Sequence, residues 1–265
     1  MRSCIILGSG RCGTSMAAGV LAGAGYFMGE QFYPPDAGNP RGYFEDPQIN
    51  AINEDLLAAV LPPRPGGWLG SLFFRSRPSA GQRWLARVPM DREIPCPPPL
   101  AARIGELTRH RPFCFKDPRF AYTLPAWRPF LAEAAFVCVF RDPAATAASM
   151  LAEGRRQPIL HTLAMNRRQA LATWHSAYTH ILDRHLAAGG DWLFLHYDQF
   201  LTGEALPRLE TFLGVAADRS FVDPRLRRAQ AIGHVPSEVE SVYRRLCALA
   251  GYRPVAAALP PPKVA

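Results

Sequence analysis

Cys4-Ile5-Ile6-Leu7-Gly8-Ser9-Gly10-Arg11-Cys12-Gly13-Thr14-Ser15 reads as a short apolar strand, a glycine-rich bend and the first turn of a helix. A four-residue apolar run followed at once by glycines suits a strand buried on both faces. The glycines permit the bend, and backbone N–H groups at the start of the following helix form a cradle for an anion. Two parses compete. Read as Gly-x-Gly-x-x-Gly from Gly8 to Gly13, the bend is a dinucleotide fingerprint, which calls for a second strand ending in an acid ~20 residues on. Glu30 stands at a tolerable distance, but Tyr26-Phe27-Met28-Gly29 makes a poor strand, and Arg11 would point a long cation into the turn. Read as a phosphate loop, the bend is followed by the hydroxyls of Thr14 and Ser15. It departs from the Walker A pattern, because Thr14 stands where that pattern has Lys and no acid suited to magnesium ends a later strand.

Outward from the loop, Phe113–Phe115, Phe136–Phe140 and Trp192–Leu195 are further apolar runs separated by helical patterns. This alternation predicts an α/β fold, P-loop-like, with a central and mostly parallel β-sheet flanked by helices. Thr14–Ala24 reads as a helix of small residues that packs closely on the sheet. Leu160, Leu163, Leu171, Trp174, Tyr178, Ile181 and Leu182 read as one long core-facing helix, and Leu206, Leu209, Phe212 and Leu213 mark another that stops at Gly214. The 265 residues are expected to form a single domain, 1–265, with a proline-rich insert at about 61–100. Trp68, Phe73, Phe74 and Trp84 lie inside that insert, as a lid over a site or as its anchor to the core.

The pattern Asp-Pro recurs after a charged residue in Glu45-Asp46-Pro47, Lys116-Asp117-Pro118 and Arg141-Asp142-Pro143. Asp followed by Pro is a helix start, with Asp as N-cap and Pro at the first helical position. The second and third follow strands, at the sheet edge where open α/β folds bind ligands. Glu45, Lys116 and Arg141 have no such capping task and become candidates for chemistry.

The formal charge is +8, and the excess is nearly all arginine, since Lys116 and Lys263 are the only lysines. That argues for an anionic partner. No run of five basic residues suggests a nucleic-acid tail, and no apolar run reaches the ~18–20 residues of a membrane span. The six cysteines show no metal spacing, and Cys4, Cys114 and Cys138 fall in strand-like runs, so a reducing, cytoplasmic setting is expected. Arg2 before the first apolar run could imitate a secretory signal, but the run is too short.

Three elements together resemble one family. Gly10-Arg11-Cys12-Gly13-Thr14-Ser15 resembles the 5′-phosphosulfate loop of sulfotransferases that use 3′-phosphoadenosine-5′-phosphosulfate (PAPS). Phe140-Arg141-Asp142-Pro143 through Ser149 resembles that family's 3′-phosphate motif, an Arg at a strand end with a Ser eight positions later. Tyr197-Asp198-Gln199-Phe200 and the downstream Phe212-Leu213-Gly214 resemble its Tyr-Glu-Asp-Leu and Phe-Leu-Gly elements. The layout, with Gly42-Tyr43-Phe44-Glu45-Asp46 and Lys116-Asp117-Pro118-Arg119, is similar to bacterial sulfotransferase-family proteins over most of Met1–Gly251, outside the insert.

The resemblance implies transfer of a sulfuryl group from PAPS to a hydroxyl on a small-molecule, natural-product or carbohydrate acceptor, without a metal. It implies that Arg11, Cys12, Gly13, Thr14 and Ser15 hold the 5′-phosphate, with Arg11 over the bridging oxygen. Arg141 and Ser149 would grip the 3′-phosphate and Tyr197 would lie near the adenine. Arg225, Arg227 and Arg228 form a late basic stretch that adds to the pocket or is simply solvated. Glu45 is the expected general base, with Glu30 second, and Lys116 touches the sulfuryl group or steadies Glu45. Cys12 is expected to pack and not to react. The rivals are a kinase-like nucleotide phosphotransferase, a nicotinamide oxidoreductase, and a binding module that keeps the nucleotide but lacks a base.

Overall fold

The structure, a computed structural model, describes residues 1–226 and 233–254. Four parallel strands form one sheet: β1 (Cys4–Leu7), β2 (Cys114–Lys116), β3 (Ala135–Phe140) and β4 (Trp192–His196), in the order β2-β1-β3-β4. The helices, numbered in chain order, are α1 (Thr14–Gly19), α2 (Pro47–Ala58), α3 (Gly67–Leu72), α4 (Pro98–Leu107), α5 (Phe120–Trp127), α6 (Pro143–Arg156), α7 (Arg167–His180), α8 (Tyr197–Leu201), α9 (Ala205–Leu213) and α10 (Ser237–Ala250). Among the described residues no helix is long and apolar enough to cross a membrane.

Both faces of the sheet are covered, which is why its strands are apolar except at the carboxyl ends of β2 and β4, Lys116 and His196. Ile5 and Leu7 of β1 join Phe136, Cys138 and Phe140 of β3 in one core, packed by α2, α5, α7 and α10. Cys4 and Ile6 join Val137 and Val139 in the other, packed by α1 and α9. From β1 the chain passes first to β2 on one side and then to β3 on the other. The order therefore reverses at β1, and the crevice that such a reversal leaves opens at its carboxyl end, above the Gly8–Ser15 bend.

Two of the three Asp-Pro starts are built as the sequence predicts. Asp46 caps α2 by accepting from the N–H groups of Gln48 and Ile49 at 2.7 and 3.2 Å, and Asp142 caps α6 through Ala145 at 2.8 Å. Asp117 does not cap, because α5 begins only at Phe120. Its carboxylate is fully buried and accepts from the side chains of Asn50 and Asn53 and from the backbone N–H of Arg119. Without those donors a carboxylate at that depth would carry a large desolvation cost.

Other expectations are corrected in detail. The small-residue helix ends at Gly19 and not at Ala24, where turns take over. Strand β2 is shifted by one residue to include Lys116, which pairs in register with Ile6. The long helical pattern after Leu160 is broken: a 3-10 turn at Pro158–Leu160 precedes α7, and a π turn at Ile181–His185 follows it. The break has a local cause, since Asn166 and Gln169 form a capping box that starts a new helix. The insert divides in two. Its later half is core, with Leu85, Ala86 and Val88 buried and their carbonyls accepting from Thr173, Tyr122 and His180. Its earlier half carries Trp68 and Phe73, which are 69% and 65% exposed.

Candidate functional site

Four of the candidate segments stand at the carboxyl end of a strand, where the fold opens its crevice, while Glu45 precedes α2 and Ser149 lies within α6. The Gly8–Ser15 bend follows β1, Lys116 ends β2, Arg141 follows β3 and Tyr197 follows β4. They border one cavity of about 960 Å³, whose lining includes Arg11, Ser15, Glu45, Lys116, Arg141 and Tyr197.

The bend is shaped by backbone conformation. Arg11 and Gly13 lie in the left-handed region at φ +69° and +102°, and Gly13 begins α1 with no side-chain cap. A Cβ on Gly13 would meet the Tyr197 ring at 2.6 Å, so glycine is what lets that ring lie on the loop. Cys12 faces away from the cavity, and its thiol donates to the Val139 carbonyl at 3.0 Å, which ties the loop to β3. Burial pushes that thiol up to about 11, so it is no nucleophile near neutral pH. Of the expected phosphate-loop residues, Gly13, Thr14 and Ser15 line the cavity and the Cys12 side chain does not.

The Arg11 guanidinium crosses the crevice to α6. Its Nε donates to Ser149 Oγ at 3.3 Å, its Nη2 to the Gly38 carbonyl at 3.0 Å, and its Nη1 lies 3.4 Å from Glu153 Oε2. Ser149 and Glu153 are four residues apart on α6 and share a face. The amino-terminal loop and the mid-chain Arg-Ser motif, remote in sequence, are thus in direct contact. Beside them the Arg141 guanidinium carbon sits 4.3 Å over the Tyr197 ring, a cation–π arrangement.

Also lining the cavity, Lys116, only 2% exposed, forms an ion pair with Glu45 Oε1 and donates to Ser15 Oγ at 3.2 Å. Among the described residues the second Glu45 oxygen accepts no hydrogen bond. Glu30 is exposed, accepts from the Gln48 side chain and lies outside the cavity lining. The Tyr26–Gly29 stretch makes one single-residue bridge, Phe27 to Phe113, and not the second strand of a dinucleotide fold. Arg225 is turned to solvent, 89% exposed and bonded to Asp223, while Arg227 and Arg228 lie outside the described residues. Among the described residues no group of three metal-ligating side chains occurs.

The sequence reading missed two networks. In one, Asp36 accepts from Tyr43, Gln157 and the backbone of Gly38 and Asn39, holding the proline-rich residues 31–43 over α6. In the other, Glu54 accepts from Gly81, Arg83 and Arg119, and Arg119 also bonds Asp117. Burial works against the Arg119 charge, but Asp117 and Glu54 outweigh it and hold the guanidinium above its ordinary value. Burial in turn pushes the Asp117 carboxyl up against the pull of Arg119. Helical spacing was the available signal for Glu153 and Glu54, each four residues after another cavity residue, Ser149 and Asn50.

Comparison with known proteins bears on the family and the fold. A family model described as "Sulfotransferase family" matches residues 4–219. No curated protein matches the chain. Among solved structures, a sulfotransferase domain from the curacin biosynthetic pathway matches at TM-score 0.51 and 15% identity, covering 96% of this chain and 99% of that one. A sulfotransferase domain from the Synechococcus PCC 7002 olefin synthase matches at TM-score 0.52 and 18% identity, covering 96% and 95%. Identities this low speak for the fold alone, while the family model spans both the Gly8–Ser15 bend and the Arg141–Ser149 motif: the chain belongs to the sulfotransferase family.

Proposed function

We propose that the chain transfers a sulfuryl group from PAPS to the hydroxyl of a small-molecule acceptor. The observation that carries this reading is the contact of Arg11 with Ser149 in a cavity that the Arg141–Tyr197 and Glu45–Lys116 pairs also line. A donor with anionic groups at two ends of an adenosine needs two cationic anchors in one crevice. Arg141 and Ser149 supply the 3′-phosphate anchor, Arg11 with the backbone of Gly13–Ser15 supplies the 5′ end, and the Tyr197 ring flanks the base.

Transfer forms a bond from the acceptor oxygen to sulfur as the bond from sulfur to the 5′-phosphate oxygen breaks. The acceptor proton passes to Glu45, which lines the cavity and has one carboxylate oxygen left by Lys116. Charge left on the phosphate is met by Arg11, a fixed cation that stabilises without giving up a proton. Lys116 holds Glu45 through one oxygen and Ser15 through its hydroxyl, linking the base to the phosphate loop.

Thermal shift tests the reading. The product nucleotide, 3′-phosphoadenosine-5′-phosphate (PAP), is expected to stabilise the protein more than AMP, magnesium ATP or NADH, and Arg141→Ala to abolish the difference between PAP and AMP. Equal shifts with PAP and AMP on the unaltered protein would refute it, and a larger shift with magnesium ATP would favour the kinase-like rival.

A further inference from the structure

We propose that Arg156 is a positioning residue for donor binding: it answers the charge of the buried Glu153 carboxylate, so that Arg11 can turn from that carboxylate to the donor's 5′-phosphate. The inference rests on the reading of Arg11 as the 5′ anchor given above.

Arg11 carries one charge, and its guanidinium already serves three partners of the protein. Its Nε meets Ser149, its Nη2 the Gly38 carbonyl and its Nη1 the Glu153 carboxylate. A phosphate brought to the same guanidinium places a second anion there. Only 4% of the Glu153 side chain is exposed, so water cannot make up for a cation drawn away from it. A carboxylate buried to that depth is costly unless another cation holds it.

Arg156 is that other cation. It stands three residues after Glu153 on α6, pairs with the same carboxylate oxygen, Oε2, and lines the cavity as Arg11 does. Among the described residues Glu153 is the only carboxylate paired with it. The Tyr43 hydroxyl donates to Glu153 Oε1 at 3.4 Å, and a Cβ on Gly38 would collide with both members of the pair. The backbone of residues 31–43 therefore lies directly on Arg156 and Glu153. A basic residue in the last turn of a helix ordinarily answers the helix dipole, and Arg155 does so as well as Arg156. Arg155 is exposed and lies outside the cavity lining, whereas Arg156 faces the carboxylate that Arg11 shares.

The two residues then act on donor affinity with opposite signs. Without its charge, Glu153 no longer competes with the phosphate for Arg11. Without Arg156, Glu153 keeps Arg11 for itself. Residues that merely held α6 together would weaken binding whichever of them was altered.

Calorimetric titration of PAP into the full chain, Arg156→Met, Glu153→Gln and the double variant tests the inference, with the thermal transition of each variant as the check on folding. Arg156→Met is expected to raise the Kd for PAP roughly tenfold and Glu153→Gln to lower it about threefold. In the Glu153→Gln background the change at position 156 is expected to move Kd by less than about twofold. Arg156→Lys, which keeps the charge, is expected to restore most of the affinity. An equal loss from Arg156→Met in both backgrounds would mean that Arg156 acts on the donor directly, and would overturn the inference. So would an unchanged Kd in Arg156→Met, or weaker binding in Glu153→Gln, an arm that stands even if the variants at position 156 do not fold. If the unaltered chain binds PAP no better than AMP, the donor reading falls and this inference with it. If PAP is preferred and the two substitutions are additive, this inference falls alone.

Discussion

Arg11 and Glu45 divide the site between them. Arg11 is the only non-glycine residue of the Gly8–Gly13 bend with positive φ, and that conformation aims its side chain across the crevice to Ser149 and Glu153. Glu45 also depends on its setting, since Lys116 engages one of its oxygens and leaves the other for an incoming hydroxyl. Glu45→Gln preserves shape and removes the base. It is expected to lower kcat by about 10²–10⁴-fold while the PAP thermal shift stays within experimental error. If turnover in steady-state assays is unchanged, Glu45 is not the base. Cys12 gives a second test at this scale. Its buried, upshifted thiol is expected to resist iodoacetamide at pH 8, whereas the half-buried Cys96 reacts first, as read by peptide mass spectrometry.

Among the elements, α2 does more than pack. Its cap, Asp46, accepts from four N–H groups: Gln48 and Ile49 of the helix, and Glu30 and Gln31 of the preceding loop. One carboxylate therefore fixes both the start of α2 and the approach of the chain to it, and Glu45 is its immediate neighbour. Asp46→Ala is expected to cost about 2–4 kcal/mol, from the lost cap and two loop amides left without partners. That corresponds to a fall in Tm of roughly 5–15 °C by calorimetry. A loss within 1 °C would mean that the loop and helix hold Glu45 without it. Further along, Asn50 and Asn53 donate to Asp117, Asn53 accepts from Thr123 and Trp127 of α5, and Glu54 accepts from Gly81 and Arg83 of the insert, so one helix ties the cavity wall to α5 and to the insert's core-packed half.

Over the whole molecule, acid is the predicted weakness. His185, on the π turn after α7, is buried and lies 2.9 Å from the Ala121 carbonyl. Burial pushes its imidazole down to about 3, with the carbonyl contact opposing. The unfolded chain binds a proton there below about pH 6.5 that the folded chain refuses. The stability tied to this group is thus complete above pH 6.5 and is lost as pH falls toward 3, by up to about 1.4 kcal/mol per pH unit. His185→Gln is expected to be less stable at pH 7 yet to show a shallower decline of Tm between pH 6.5 and 4.5. Equal slopes for the variant and the unaltered protein would refute this.

Periodicity and composition determined what local physics controls. Short apolar runs bounded by turn residues suit strands covered on both faces, and Asp46-Pro47 and Asp142-Pro143 specify helix starts within three residues, so fold class and two helix starts were legible without coordinates. The glycine bend after β1 and Arg141 after β3 were legible from strand and turn signals, whereas Ser149 was singled out only through the family resemblance. Contacts between remote segments were not. The engagement of Arg11 with Glu153, the burial of Asp117 among Asn50, Asn53 and Arg119, and the seating of Trp84 on Gly10 join residues that only the strand order brings together. A side chain's partners in a core are set by which faces meet, and hydrophobic periodicity reports that a face is buried without reporting against what. Asp117 makes the case: an Asp-Pro signal identical to its two neighbours' was diverted by tertiary donors that no local pattern contains.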